Sequence, residues 1–322
     1  MNIRRHISTA AVAGASVLGL LALSACSTAD ATRTDDGKLK VAASFYPMEF
    51  LAEQIGGDHV EVTGLTKPGV EPHDLTLTAQ QTAQLSAAGA VVYLKGLQPA
   101  VDSAIAQSGV ENIADASALT SLEAHGTEVD GHDHDHAAGG EHAHTESEGG
   151  KDPHIWLDPV KYAEVAKGVN KTLAKADPGH KADYQKNTDA LVKKLRALDA
   201  DFRNGLKKRA SDTFITTHAA FGYLAERYGL TEEAISGLDP ESEPSAHRIQ
   251  SLHSLAAEHH VSTVFFETIA NPATARTLAG DLHLKTDVLD PLEGITAKSR
   301  GKDYFGVQRA NLAALQKALG SK

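Results

Sequence analysis

The chain has 322 residues, 31 basic and 42 acidic side chains, a formal charge of −11 and a single cysteine. That balance argues against a nucleic-acid partner and against electrostatic adhesion to anionic lipid, since both need a surplus of Lys and Arg. With no second cysteine there is no intramolecular disulfide, so the fold must rest on its apolar core. Roughly 280 residues beyond the N-terminal segment suffice for two domains of ordinary size.

The chain opens with Arg4 and Arg5, followed by an apolar run over 10–23. That run matches a signal-peptide core and is short for a mature membrane-spanning helix. It ends at Leu23-Ser24-Ala25-Cys26, the small residues before a cysteine that a lipoprotein signal peptidase requires. Cys26 is therefore the expected acylation point, and acyl chains there would hold an exported protein on the membrane. Cleavage removes two arginines and no acidic residue, which takes the mature chain to about −13. Residues 26–38 read as a flexible tether.

From 39 to about 160 short apolar strands alternate with helical patterns: strand 39–45, helix 46–55 with Met48, Leu51 and Ile55 on one face, strand 59–65, helix 78–88 and strand 90–94. Such alternation predicts a parallel sheet with helices on its faces. An insertion over 123–151 interrupts it. It carries His125, His132, His134, His136, His142 and His144 among Gly and acidic residues, shows no apolar periodicity, and reads as disordered.

Two helices follow, 160–176 and 180–209, broken by Asp177-Pro178-Gly179. Leu191, Leu195, Leu198, Phe202 and Leu206 make one apolar stripe on the second. At about 45 Å it is long enough to run across two domains. A second alternation then gives strand 213–217, helix 219–228, helix 244–260, strand 263–267, helix 271–281, strand 285–289 and a terminal helix 303–319. The expected fold is α/β: two lobes (39–178 and 210–322), each a mainly parallel sheet flanked by helices, joined by one long rigid helix over 179–209.

In open α/β sheets ligands sit beyond the carboxyl ends of the strands. His73 lies in the loop after the second strand, His218 directly follows strand 213–217, Asp290 directly follows strand 285–289, and His154 stands at the exit from the insertion. Pro72 and Pro153 stiffen the backbone just before two of these histidines. Three imidazoles and a carboxylate favour Zn²⁺, which takes nitrogen and oxygen in tetrahedral geometry, whereas Mn²⁺ and Mg²⁺ favour more oxygen donors. The run His132-Asp133-His134-Asp135-His136 lacks the final aspartate of the binuclear metallohydrolase pattern, and there is no His-Glu-x-x-His, so nothing points to an enzyme. A flexible loop pays ordering entropy to bind metal, so the insertion is expected to collect zinc for a tighter site in the cleft.

Four motifs occur in order: Glu71-Pro72-His73-Asp74, Asp152-Pro153-His154-Ile155-Trp156-Leu157-Asp158-Pro159, Thr217-His218-Ala219-Ala220-Phe221-Gly222-Tyr223-Leu224 and Leu289-Asp290-Pro291-Leu292. Together with Glu241-Ser242-Glu243-Pro244-Ser245 and Asp303-Tyr304-Phe305, they resemble the metal-binding lipoproteins of zinc and manganese ABC importers, the ZnuA-like group. The resemblance implies a metal buried between two lobes, with ligand roles for His73, His154 and His218 and a fourth for Asp290, or for Glu71 or water. Manganese-type members have Glu where His218 stands, so the histidine favours zinc. The resemblance further implies an ABC permease and its ATPase as partners, Zn²⁺ as transported ligand, and a monomer on the extracytoplasmic face of the membrane. The alternatives are a manganese-type or adhesin relative of the same fold and, from another class, a metallohydrolase.

Overall fold

The computed structural model describes residues 31–126 and 150–321. Cys26 and His132, His134, His136, His142 and His144 lie outside the described residues. The first half runs β1 (Leu39–Ala43), α1 (Tyr46–Gly56), β2 (Val60–Gly64), α2 (Ala79–Ser86), β3 (Ala90–Tyr93), α3 (Pro99–Ser108) and β4 (Ile113–Asp115). Then come α4 (Pro159–Ala176) and α5 (Lys181–Gly205). The second half runs β5 (Thr213–His218), α6 (Gly222–Tyr228), β6 (Thr231–Ser236), α7 (Ala246–Glu258), β7 (Thr263–Phe266), α8 (Ala273–Asp281), β8 (Lys285–Val288) and α9 (Tyr304–Ala318).

The two sheets share one plan. Their orders are β2-β1-β3-β4 and β6-β5-β7-β8, and every pairing is parallel. In each, the first strand of its half lies between the second and the third, so the winding reverses there. That reversal opens a crevice at the carboxyl ends of the central strands. The inner strands are largely buried, as strands covered on both faces must be: all four residues of β3 are buried, and so are five of the six residues of β5, although four of those six are Thr or His.

Local sequence fixes the helix ends. Thr78 and Gln81 close α2 with a reciprocal capping box. Asp158, Ser245 and Asp303 cap α4, α7 and α9 through their side chains. Met48, Leu51 and Ile55 of α1 are all fully buried, as their spacing predicts. So are Leu191, Leu195, Leu198 and Phe202 of the α5 stripe, and Leu206 just past its end. The largest core cluster runs without a break from Leu39 of the first half through this stripe to Leu319 at the chain end.

Two readings of the sequence change. The long helix stops at Gly205 rather than 209, where a Cβ would come within 2.6 Å of the Gln316 side chain on α9. Residues 32–38 are no slack tether: Lys40 N donates to Thr32 O, Lys38 is bonded to Thr34, and Arg33 meets Asp177 at 2.9 Å.

The halves are pinned along the segment before α4. Arg227 grips Asp158 through two nitrogens at 2.6 and 2.8 Å, Trp156 Nε1 donates to Pro291 O at 2.6 Å, and Tyr304 Oη donates to Trp156 O at 2.6 Å. Among the described residues no helix is long and apolar enough to cross a membrane.

Candidate metal centre

Each donor is delivered by a short segment with its own brace. His73 stands in the loop after β2, and its backbone N–H donates to Glu71 Oε1 at 3.2 Å. His154 opens a short turn before α4. Asp152 accepts from both its backbone N–H (2.9 Å) and its ring Nδ1 (2.7 Å), so the ring is fixed with Nε2 towards the cleft. Trp156, buried in the core as expected, lies against that ring at 5.1 Å between centroids. His218 is the last residue of the central strand β5; its Nδ1 is 2.6 Å from Glu267 Oε1, an oxygen to which Thr217 also donates. Orientation of one ring nitrogen by a carboxylate, leaving the other for coordination, is the usual arrangement around ligating histidines.

One ring nitrogen from each histidine converges on a single oxygen. His73 Nε2 and His154 Nε2 are each 3.2 Å from Glu293 Oε1, and His218 Nε2 is 3.4 Å from it. The four donor atoms all lie within 4.8 Å of one another. His154, His218 and Glu293 are wholly buried, and His73 is the most open at 12 % exposure. His218 Nε2 and Glu293 Oε2 have no hydrogen-bond partner, which is costly for buried polar atoms unless something else occupies the space between them.

Zinc–ligand distances of about 2.0–2.1 Å in a tetrahedron put neighbouring donors roughly 3.3 Å apart. The contacts to Glu293 Oε1 have that length. Electrostatics agree. Burial alone would raise the Glu293 carboxyl, but hydrogen bonds from His154 and His73 and the charge of nearby His218 hold it well below the usual carboxylate range. Burial opposes charge on His154, yet Asp152 and Glu293 outweigh it and bring its pKa to about 9. His218, likewise opposed by burial, is raised by Glu267 and Glu293. The cleft thus places positive charge around one anionic oxygen.

Asp290, expected as the fourth donor, is not in this group. Its Oδ1 accepts from Leu292 N at 2.9 Å, its Oδ2 from Thr268 at 2.8 Å, and Asn311 holds its backbone on both sides. It braces the turn that carries Glu293. Leu292, inside that turn, has φ +61°, a backbone state that L-residues seldom adopt and that clusters at functional sites. Glu71 is also outside the group. Burial first, then nearby Glu293, push its carboxyl up to about 8. Glu293 lies one residue past the Leu289–Leu292 motif, and a carboxylate three residues beyond Asp290 is the sequence signal that points to it. His125, at the root of the insertion, sits apart from the cleft beside Glu123 and Glu226.

The profile of the family described as "Zinc-uptake complex component A periplasmic" matches residues 41–318. The chain belongs to this ZnuA family. It is 35 % identical over 302 residues to the zinc-binding lipoprotein AdcA of Streptococcus pneumoniae, covering 92 % of this chain but 58 % of AdcA. It is 35 % identical to the high-affinity zinc uptake system protein ZnuA of Bacillus subtilis, covering 94 % of this chain and 97 % of that protein. The crystal structure of the Zn(II)-bound ZnuA-like domain of S. pneumoniae AdcA superposes with a TM-score of 0.71 at 31 % identity, over 88 % of this chain and 99 % of the domain. The fold is thus that of the ZnuA-like solute-binding proteins, two parallel-sheet lobes joined by a long helix.

Proposed function

We propose that this chain captures Zn²⁺ outside the cytoplasm and delivers it to an ABC importer, with His73, His154, His218 and Glu293 as ligands. One observation carries the reading: three imidazole nitrogens surround a single buried carboxylate oxygen at the edge length of a zinc tetrahedron. The relatives' names point the same way. Zinc is favoured over Mn²⁺ because nitrogen supplies three of the four donors. A catalytic zinc keeps one position open for water or substrate, whereas four converging protein donors close the shell, and that supports a binder over a hydrolase.

Export and a lipid anchor at Cys26 complete the proposal, resting on the N-terminal motif and on the lipoprotein relatives. The permease and its ATPase are the partners, and the loop histidines at 132–144 collect the ion at lower affinity. The deciding experiment is zinc affinity by chelator competition. His218→Ala should weaken binding at least about a hundredfold, the scale of losing one buried charged partner. An unchanged dissociation constant refutes its ligand role. Deleting residues 125–150 should leave the tight equivalent in place, and its loss would move the primary site out of the cleft.

A further inference from the structure

Glu232 is an acid whose place the packing of its own strand does not explain. It lies on β6, the edge strand of the second sheet, opposite Phe214 of β5. Its neighbour Glu233 points to the other face and meets Arg248 at 2.9 Å. Glu232 takes its hydrogen bonds from uncharged donors only. Thr216 is its diagonal neighbour on the same face of β5. The single hydroxyl proton of Thr216 faces two acceptors, Glu232 Oε1 at 2.8 Å and the His218 carbonyl at 2.9 Å. Glu232 Oε2 accepts from Phe221 N at 2.9 Å. Drawing a carboxyl away from water without a cation beside it costs free energy, so the reason for this one lies in what it holds.

Both bonds land on the turn that leaves β5. His218 ends the strand, and Phe221 stands just before α6. The turn in turn bears on the first half of the chain. A Cβ on Gly222 would come within 2.9 Å of Asp152 Oδ2, and Tyr223 Oη donates to Asp152 O at 2.8 Å. Asp152 is the carboxylate that orients His154. One side chain on β6 therefore stands behind an imidazole from each half.

We propose that Glu232 is a positioning residue for zinc binding: it fixes the turn 218–223, so that His218 and, through Asp152, His154 keep their places. The proposal rests on the ligand reading above. None of the hydrogen bonds of Glu232 reaches a donor atom, and its action passes through Thr216 and the backbone of Phe221. Without the carboxyl, Phe221 N loses its acceptor and the hydroxyl of Thr216 is left to His218 O alone. The turn is then free to relax, and ordering it again on each binding event subtracts from affinity.

The test uses the full mature chain, with zinc affinity read by chelator competition and metal-free stability by urea midpoint. Glu232→Ala should weaken zinc binding by about tenfold to a hundredfold, the usual scale for outer partners of metal ligands. Glu232→Gln offers an oxygen to Phe221 N and an N–H to Thr216, and should restore affinity to within about threefold of the parent. Ile235→Ala, in the separate core of the second half, should lower stability and leave affinity within about threefold, so a weakened fold and a lost position are read apart. Thr216→Val added to Glu232→Ala should cost less than it does alone, as members of one network do. His218→Ala tests the ligand reading itself, which falls if affinity is unchanged. If His218→Ala loses zinc while Glu232→Ala binds like the parent, or if Glu232→Gln is as weak as Glu232→Ala, the positioning role alone is overturned.

Discussion

Glu293 balances the charge of the cleft, and Asp290 aims it. If Glu293 is a ligand, Glu293→Gln should cost about a hundredfold or more in zinc affinity, because it leaves imidazoles without their anion. Asp290→Asn keeps an oxygen for Leu292 N, so affinity should change less than about tenfold, with stability lower by about 1–3 kcal/mol. The reverse ranking in a chelator competition would restore Asp290 as the donor. The histidines also predict a pH profile. Ligating imidazoles must be neutral, so if His154 is a ligand, zinc expels the proton that it holds up to about pH 9. Affinity should rise about tenfold per pH unit and per proton released between about pH 6.5 and 9, then level off. Metal-free stability runs the other way. A raised folded-state pKa stabilises fully below the unfolded value of about 6.5, and that contribution disappears as pH climbs through about 9. Chelator competition and urea midpoints at pH 6.5, 7.5 and 8.5 read both trends; a flat affinity profile sinks the three-histidine site.

Among the elements, α5 is the one whose packing the sequence states most openly. Leu198 sits mid-stripe and is fully buried, so Leu198→Ala should lower the unfolding free energy by about 2–5 kcal/mol. Urea denaturation of the metal-free protein measures this, and a loss under about 1 kcal/mol would show the stripe is not core. Other elements were hidden for identifiable reasons. The β6 sequence Thr231-Glu232-Glu233-Ala234-Ile235-Ser236 reads as acidic and exposed, yet Glu232 accepts from Thr216 and from Phe221 N. Burial pushes its carboxyl to about 7. Hydropathy carries no trace of such an arrangement. α3 buries only Val101 and Ile105, too few to show a helical period, and β4 has three residues. His73, His154 and His218 are legible as a set because each follows a strand or a proline. Their convergence on Glu293 is not, since it depends on a positive φ at Leu292 that no side chain announces.

At the scale of the molecule, each half contributes two of the four donors: His73 and His154 from the first, His218 and Glu293 from the second. Sheets of the same strand order present them across one crevice. Either pair alone is a poor chelator. If these four are the ligands, they act together because the halves are held apart by α5 and by the pins at Asp158, Trp156 and Pro291. The fold therefore acts as a linker that sets the effective concentration of one ligand pair at the other, and avidity follows from the stiffness of that linker. Residence time then becomes a property of the scaffold: loosening α5 by Leu198→Ala, far from any donor, should speed zinc loss into excess chelator, and an unchanged dissociation rate would show that the four ligands hold the ion without help from the helix.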